Sequence, residues 1–337
     1  MILVTGATGC LGANLVRALL TAGLPVAALR LADDPGEALT DVADQIEWRI
    51  GDLLNAPSLA SAMRGVTHVY HAAGLALPYE SDRLRMMEVN VNGTDNLLAA
   101  ALCADVQRVV YVSSIAAVGY PDGIADETMT YNGALIPFSY MHSKYAAEAV
   151  ARNYVGRGLD VVMVCPAAVI APYCDREHGW GRVFLDVFEG KMPFLPPGGI
   201  AILSRADLVH GLQAAMAHGR SGERYILASA NISYQTLLET MARTIGVGAP
   251  RLKIPRWLLR AGAFVLSFLA PLIEKLVARP RLSASVLDLM WRQKHYSIGK
   301  AERELKFVNG QTLDETVLET WTWLRANHTA GRNGNAA

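Results

Sequence analysis

Tyr140 and Lys144 stand four residues apart in Tyr140-Met141-His142-Ser143-Lys144, a spacing that puts both on one face of a helix. A phenol with an ordinary pKa of about 10 is a poor acid or base at neutral pH. An ammonium one turn away stabilises the phenolate and lowers that value. Such a pair can pass a proton to or from a carbonyl or an alcohol. Ser114, in Tyr111-Val112-Ser113-Ser114, can hold the reacting oxygen. It is preferred over Ser113 because neighbouring strand residues face opposite ways. A Tyr/Lys pair at this spacing is common by chance on helices, so its meaning depends on what precedes it.

Coupling that proton to a hydride requires a nicotinamide, and the start of the chain offers a place for one. Residues 5–12 read Thr-Gly-Ala-Thr-Gly-Cys-Leu-Gly, after an apolar strand and at the opening of a helix. Gly6, Gly9 and Gly12 permit a tight turn and close approach of backbone N–H groups to a pyrophosphate at the helix N-terminus. Thr8, Cys10 and Leu11 belong to the same turn. NAD sites usually place an acid about 20 residues further on, against the ribose 2′-hydroxyl. Arg30 stands there, and a guanidinium suits a 2′-phosphate. The reading is NADP(H) preferred, with NAD(H) possible if Asp33 or Asp34 curls back. Asp52 and Leu53 follow the third strand, with Asp52 in reach of an adenine amine. Ala72, Ala73 and Gly74 follow the fourth and let a ligand approach the backbone. Pro166, Ala167 and Val169 complete the set after the sixth. Asn90 lies on a long helix and reads as structural or as part of a proton relay, with the structural role preferred. His71 reads as a packed strand-end histidine.

Short apolar runs at 2–4, 25–29, 46–50, 66–71, 109–113 and 161–164 alternate with helical segments at 11–22, 59–64, 84–103 and 139–154. That alternation specifies an α/β fold: a doubly wound parallel sheet of the Rossmann type, covered on both faces. Residues 1–165, with parts of 200–230, form the nucleotide-binding domain. Residues 166–326 are mainly a smaller, mostly helical substrate-binding region, and 328–337 read as a disordered tail. Within 200–230, Arg224 to Leu227 reads as a strand between two helices.

With 337 residues, 52% of them hydrophobic, the chain can bury a large core, and a net charge of +0 gives no basic face for nucleic acid. Met1 leads directly into a strand, leaving no room for a signal peptide. Cys10, Cys103, Cys165 and Cys174 are scattered, which argues against a disulfide framework and for a reducing cytoplasm. Residues 257–277 are apolar, but the uncharged run from Ala261 to Ile273 falls short of the roughly 20 residues that span a bilayer. They read as a buried or lid helix, with attachment to a membrane surface as the alternative. Cys174, Asp175 and His178 are neighbours in a loop rather than metal ligands, so no metal is expected.

Taken in order, T-G-x-x-G-x-x-G, G-D-L, H-x-A, N-V-x-G-T, V-S-S, Y-x-x-x-K and the ending Lys300-Ala301-Glu302-Arg303-Glu304-Leu305 resemble the extended short-chain dehydrogenase/reductase family from residue 1 to about 326. The chain is most similar to its dihydroflavonol 4-reductase-like, 3β-hydroxysteroid dehydrogenase-like and hopanoid-associated sugar epimerase-like branch. The resemblance implies a catalytic Ser114, Tyr140 and Lys144, and a homodimer formed through the helices at 84–103 and 140–155. One departure bears on substrate. Sugar-nucleotide epimerases of the family carry an arginine toward substrate phosphates where this chain has Ile200, and an apolar side chain cannot neutralise a pyrophosphate. The expectation is therefore a nicotinamide-dependent reductase of an apolar ketone, or dehydrogenase of the alcohol, with Ser114 and the aromatics Tyr79, Phe138, Tyr173, Trp180 and Phe184 as candidate substrate contacts. A sugar-nucleotide epimerase or dehydratase with bound NAD, and a non-catalytic dinucleotide sensor, are the competing readings.

Overall fold

The computed structural model describes residues 1–77, 80–133, 136, 138–174, 179–276 and 284–333, with 270–276 and 328–333 as backbone. Its strands are β1 (Ile2–Thr5), β2 (Val26–Arg30), β3 (Glu47–Ile50), β4 (His68–His71), β5 (Arg108–Val112), β6 (Gly123–Ala125), β7 (Val161–Pro166), β8 (Ala168–Ile170), β9 (Phe194–Leu195), β10 (Gly199–Ser204), β11 (Arg224–Leu227), β12 (Ala230–Ser233), β13 (Leu252–Lys253) and β14 (Gln293–Tyr296). Its α-helices are α1 (Cys10–Thr21), α2 (Ala56–Ala62), α3 (Arg83–Met87), α4 (Gly93–Cys103), α5 (Ile115–Val118), α6 (Ser139–Gly156), α7 (Gly179–Phe188), α8 (Arg205–His218), α9 (Tyr234–Ile245), α10 (Arg256–Leu276), α11 (Ala284–Trp291), α12 (Gly299–Leu305) and α13 (Leu313–Asn333).

The main sheet has seven parallel strands in the order β3-β2-β1-β4-β5-β7-β11. Valine and isoleucine dominate β1, β5 and β7, and burial on both faces explains why these strands read as continuous apolar runs. Alternate residues go to opposite sides. Val110, Val112, Val162 and Val164 pack with Leu15 and Leu19 of α1 and Leu208 and Leu212 of α8. Val109, Tyr111, Val161 and Met163 pack with Leu97 and Leu98 of α4 and Ala147 and Ala151 of α6. The strand over Arg224–Leu227 is thus the outer strand of this sheet.

The long helix expected over 84–103 is broken into α3, a π-helical turn at Glu88–Asn92, and α4. A π turn inserts an extra residue per turn and often marks a functional site; here it carries the buried Asn90.

Beyond β7 the helices are accompanied by a second sheet, not evident in the sequence pattern, ordered β12-β10-β14-β6 with β8 also on β10. Helix α10 is not a core element. Leu259 is buried, whereas Trp257, Phe264 and Phe268 are exposed. It packs on α11, the helix that carries Val286, Leu289 and Met290 to the cavity described below. Among the described residues no helix is long and apolar enough to cross a membrane. The last helix continues through Asn333, past the Asn327 boundary drawn from sequence; residues 334–337 lie outside the described set.

Candidate active site

Strand β1 ends in the glycine turn. Gly6 has φ +64°, and a Cβ there would lie 2.7 Å from the backbone of Ala73, so only glycine lets this turn seat against the segment after β4. A Cβ on Gly12 would meet the Gly6 carbonyl at 2.1 Å, which fixes how closely α1 approaches the turn. Gly9 caps α1 with no side-chain bond to the first amides. These N–H groups and the positive end of the helix suit a pyrophosphate.

At the end of β2 both expected groups converge. The Arg30 guanidinium donates to the Asp34 carbonyl at 2.5 Å and lies over the Trp48 ring, while its Nε is buried with no partner. Asp34 has curled back: its carboxylate accepts from the Thr8 hydroxyl at 2.7 Å and the Gly36 amide at 2.8 Å. Arginine and carboxylate therefore both sit at the cofactor turn, the carboxylate already satisfied by the loop. Asp52 is exposed after β3, its carboxylate accepting from the Leu54 amide, while Leu53 is buried against Gly93. A dinucleotide fits this cradle: the glycine turn has no room for side chains at Gly6 and Gly12, and the Arg30 Nε is buried without a protein partner.

The reacting end is built on α5 and α6. Glu80 accepts from the Ser139 amide and hydroxyl and so pins the start of α6 one residue before Tyr140. Ser113 turns to the α6 side and donates to the fully buried Glu148 at 2.7 Å. Ser114 opens α5, its oxygen accepting from the Ala116 amide at 3.1 Å and its hydroxyl acting on Tyr140. Asn90 donates to the Leu75 carbonyl and to Ser143, and accepts from the Leu75 amide. These bonds tie the segment after β4 to α6, the helix of Tyr140, as the structural role preferred for Asn90 requires.

One expectation is corrected here. Burial raises the Tyr140 phenol above its ordinary value; Ser114 offsets part of this, and Cys165 adds to it. Burial outweighs the lowering expected from Lys144, whose ammonium donates to the Val112 carbonyl at 2.8 Å. Its own pKa falls to about 8 through burial, against the opposing pull of Glu148. His71 is packed between the hydroxyls of Thr5 and Thr94, and burial brings it to about 3.

Tyr140 and Ser114 open onto a cavity of about 520 Å³. Leu11, Pro166, Ala167 and Val169 line it from the cofactor side, and Phe138 and Trp180 line it as expected pocket walls. Two of the expected aromatics do not reach it. Tyr173 lies between the Arg17 guanidinium and Trp323, and Phe184 is fully buried in the core beneath α7. Tyr79 lies outside the described residues. Tyr120, Tyr234, Ile200 and Lys294 line the cavity and were not among the sequence-derived substrate contacts.

The cysteine reading is also corrected. Cys10 and Cys174 form a disulfide with a Cα–Cα distance of 4.4 Å, across 164 residues of chain. Scattered positions conceal a pair that only the tertiary fold brings together. Asp175 and His178 lie outside the described residues.

Residues 2–228 match the model of the NAD dependent epimerase/dehydratase family. The chain belongs to that family. Among its relatives, "Sterol demethylase protein B" of Methylococcus capsulatus is 35% identical over 92% of this chain and 94% of that protein. A "3 beta-hydroxysteroid dehydrogenase/Delta 5-->4-isomerase" of Mycobacterium tuberculosis is 29% identical over 94% and 88%. The crystal structure of a nucleoside-diphosphate-sugar epimerase from Pseudomonas aeruginosa superposes with a TM-score of 0.77 at 27% identity, covering 97% of both chains. As a member of the family, the protein is an oxidoreductase that uses a nicotinamide cofactor.

Proposed function

We propose that the protein is an NADPH-dependent reductase of a ketone on a largely apolar small molecule, or the dehydrogenase of the matching secondary alcohol. The observation that carries this is the cavity: Ser114 and Tyr140 stand in a wall made otherwise mainly of aliphatic and aromatic groups, and Ile200 is part of that wall. Arg205, a candidate substitute for a phosphate-binding arginine, does not line the cavity and is paired with Glu319. The names of the sterol and hydroxysteroid relatives support an apolar alcohol or ketone.

Ser114 would donate a hydrogen bond to the carbonyl oxygen, and Tyr140 would give that oxygen its proton. The raised pKa of Tyr140 keeps the phenol protonated at neutral pH, which suits reduction. Lys144, desolvated one turn away, orients the Tyr140 end of the helix through Val112 and faces the cofactor side. When bound, the nicotinamide supplies the hydride. Gly6, Thr8, Gly9, Cys10, Leu11 and Gly12 would hold the pyrophosphate end, and Arg30 a 2′-phosphate through its unpartnered Nε. A cytoplasmic setting is part of this reading, and reducing thiols there would open the Cys10–Cys174 bond. A second copy would dock on the helices at 84–103 and 140–155, where Leu84 and Tyr145 are exposed.

The second reading is a sugar-nucleotide epimerase with NAD, favoured by the Asp34 carboxylate at the turn. Calorimetric titration with NADPH, NADH and UDP separates the two. Tight NADPH binding without a UDP response is expected; UDP binding with NADH preferred would overturn the reductase. In a ketone screen, Tyr140→Phe should lose about 100-fold or more in turnover while still binding NADPH. Near-normal turnover would remove Tyr140 from the mechanism.

A further inference from the structure

The cavity contains one feature that apolar-ketone chemistry does not use. Lys294, on β14, is 5% exposed and belongs to the cavity wall. Its ammonium donates to the Tyr234 hydroxyl at 2.8 Å. The rings of Tyr120 and Tyr234 lie 5.7 and 5.4 Å from Nζ. Among the described residues no carboxylate pairs with it, although most of the other partly buried cations of this chain have one. A buried charge without a counter-ion is costly, and one phenol oxygen uses only one of its three N–H donors. The ammonium, in the cavity wall, therefore keeps N–H donors for a group bound there.

We propose that Lys294, with the Tyr234 hydroxyl, is the anion anchor of the substrate site, and that the substrate is an apolar ketone or alcohol carrying a carboxylate. This rests on the reductase reading, because it sets the carbonyl at Tyr140. The two ends are joined by a row of rings. Tyr140 meets Phe138 at 5.9 Å, Phe138 meets Tyr120 at 6.4 Å, and Tyr120 meets the Lys294 ammonium. The apolar body lies along that row, with the reacting oxygen at one end and the carboxylate at the other. One ammonium neutralises one negative charge, and the Tyr234 hydroxyl can turn its proton to the second carboxylate oxygen. A diphosphate brings more charge than this anchor can balance, and Ile200 beside it supplies none.

The test uses the NADPH-loaded protein and the flexible probes decanoate and 1-decanol, which share a chain length and differ in charge. Calorimetry should show the wild-type protein binding decanoate roughly tenfold or more tightly than decanol, the scale of a charge-assisted hydrogen bond. Lys294→Met should erase that preference while decanol and NADPH binding stay unchanged. Tyr234→Phe should reduce it by a smaller factor. Equal binding of acid and alcohol by the wild type, or no binding of either, overturns the proposal without any variant having to fold. UDP binding that Lys294→Met abolishes overturns it too, by assigning the ammonium to phosphate. The two readings fail separately. An acid preference with no ketone turned over retains the anchor and removes the reductase; ketone turnover with no acid preference does the reverse.

Discussion

Replacing Lys144 by methionine should make the protein more stable at neutral pH while destroying its activity. Methionine keeps most of the side-chain volume and removes a charge that burial disfavours. The fall in the Lys144 pKa from 10.5 to about 8 corresponds to about 3 kcal/mol of differential stability. Because the folded value lies below the unfolded one, folding sheds a proton between these two values. The cost is fully present below pH 8 and fades as pH rises toward 10.5. Against this gain, the variant leaves the Val112 carbonyl without its donor, a loss of about 1–2 kcal/mol. The variant should therefore exceed the wild type by about 1–2 kcal/mol at pH 7, and the gap should shrink by about 2 kcal/mol by pH 9.5, leaving the two level or reversed. Urea unfolding of both proteins at the two pH values, without added nucleotide, measures this directly. A gap that is independent of pH, or a variant already weaker at pH 7, would refute the reasoning.

Three further outcomes follow from the site. Arg30→Asp should weaken NADPH binding by roughly 10- to 100-fold relative to NADH, the scale of lost charge-assisted hydrogen bonds, and titration with both nucleotides reads it; an unchanged preference removes Arg30 from cofactor choice. Ketone reduction should be level below pH 8 and decline above it as Lys144 loses its proton, whereas alcohol oxidation should climb through the same range as the Tyr140 phenolate becomes accessible; parallel profiles in the two directions would contradict these assignments. Gly6→Ala should cost about 3 kcal/mol in thermal or urea unfolding and abolish nucleotide binding, since it combines a left-handed backbone with overlap on Ala73, and a neutral result would mean the turn can move.

Much of the parallel sheet could be read in advance because its central strands are compact apolar runs. Ile2–Thr5, Arg108–Val112 and Val161–Pro166 are buried on both faces and carry their signature locally. Tyr140 and Lys144 stood out by their spacing only together with the glycine turn ahead of them, and Ser114 was preferred over Ser113 by strand alternation. The second sheet was not. Gly123–Ala125 and Ala168–Ile170 are three residues long, and Gln293–Tyr296 is polar, so nothing in their own composition marks them as strands. Side-chain direction was also out of reach. Trp180 and Phe184 are one turn apart on α7, yet Trp180 joins Val183 at the cavity while Phe184 packs inward. The sign of the Tyr140 shift failed for a related reason: one helix turn shows the nearby ammonium but not the desolvation imposed by the rest of the fold.

The placement of β14 has a consequence for how the protein emerges from the ribosome. The nucleotide-binding sheet is complete once Leu227 has been made, whereas β6 has no strand partner until residues 293–296 arrive and lie between it and β10. Structure generally forms in the order of synthesis, so the strands of the parallel sheet can pair before the second sheet is finished, while Ala301, Leu305 and Phe307 join the core of that first sheet only later. The same short strand that closes the cavity also delivers Lys294. A nascent chain would thus pair its parallel sheet first and its second sheet last.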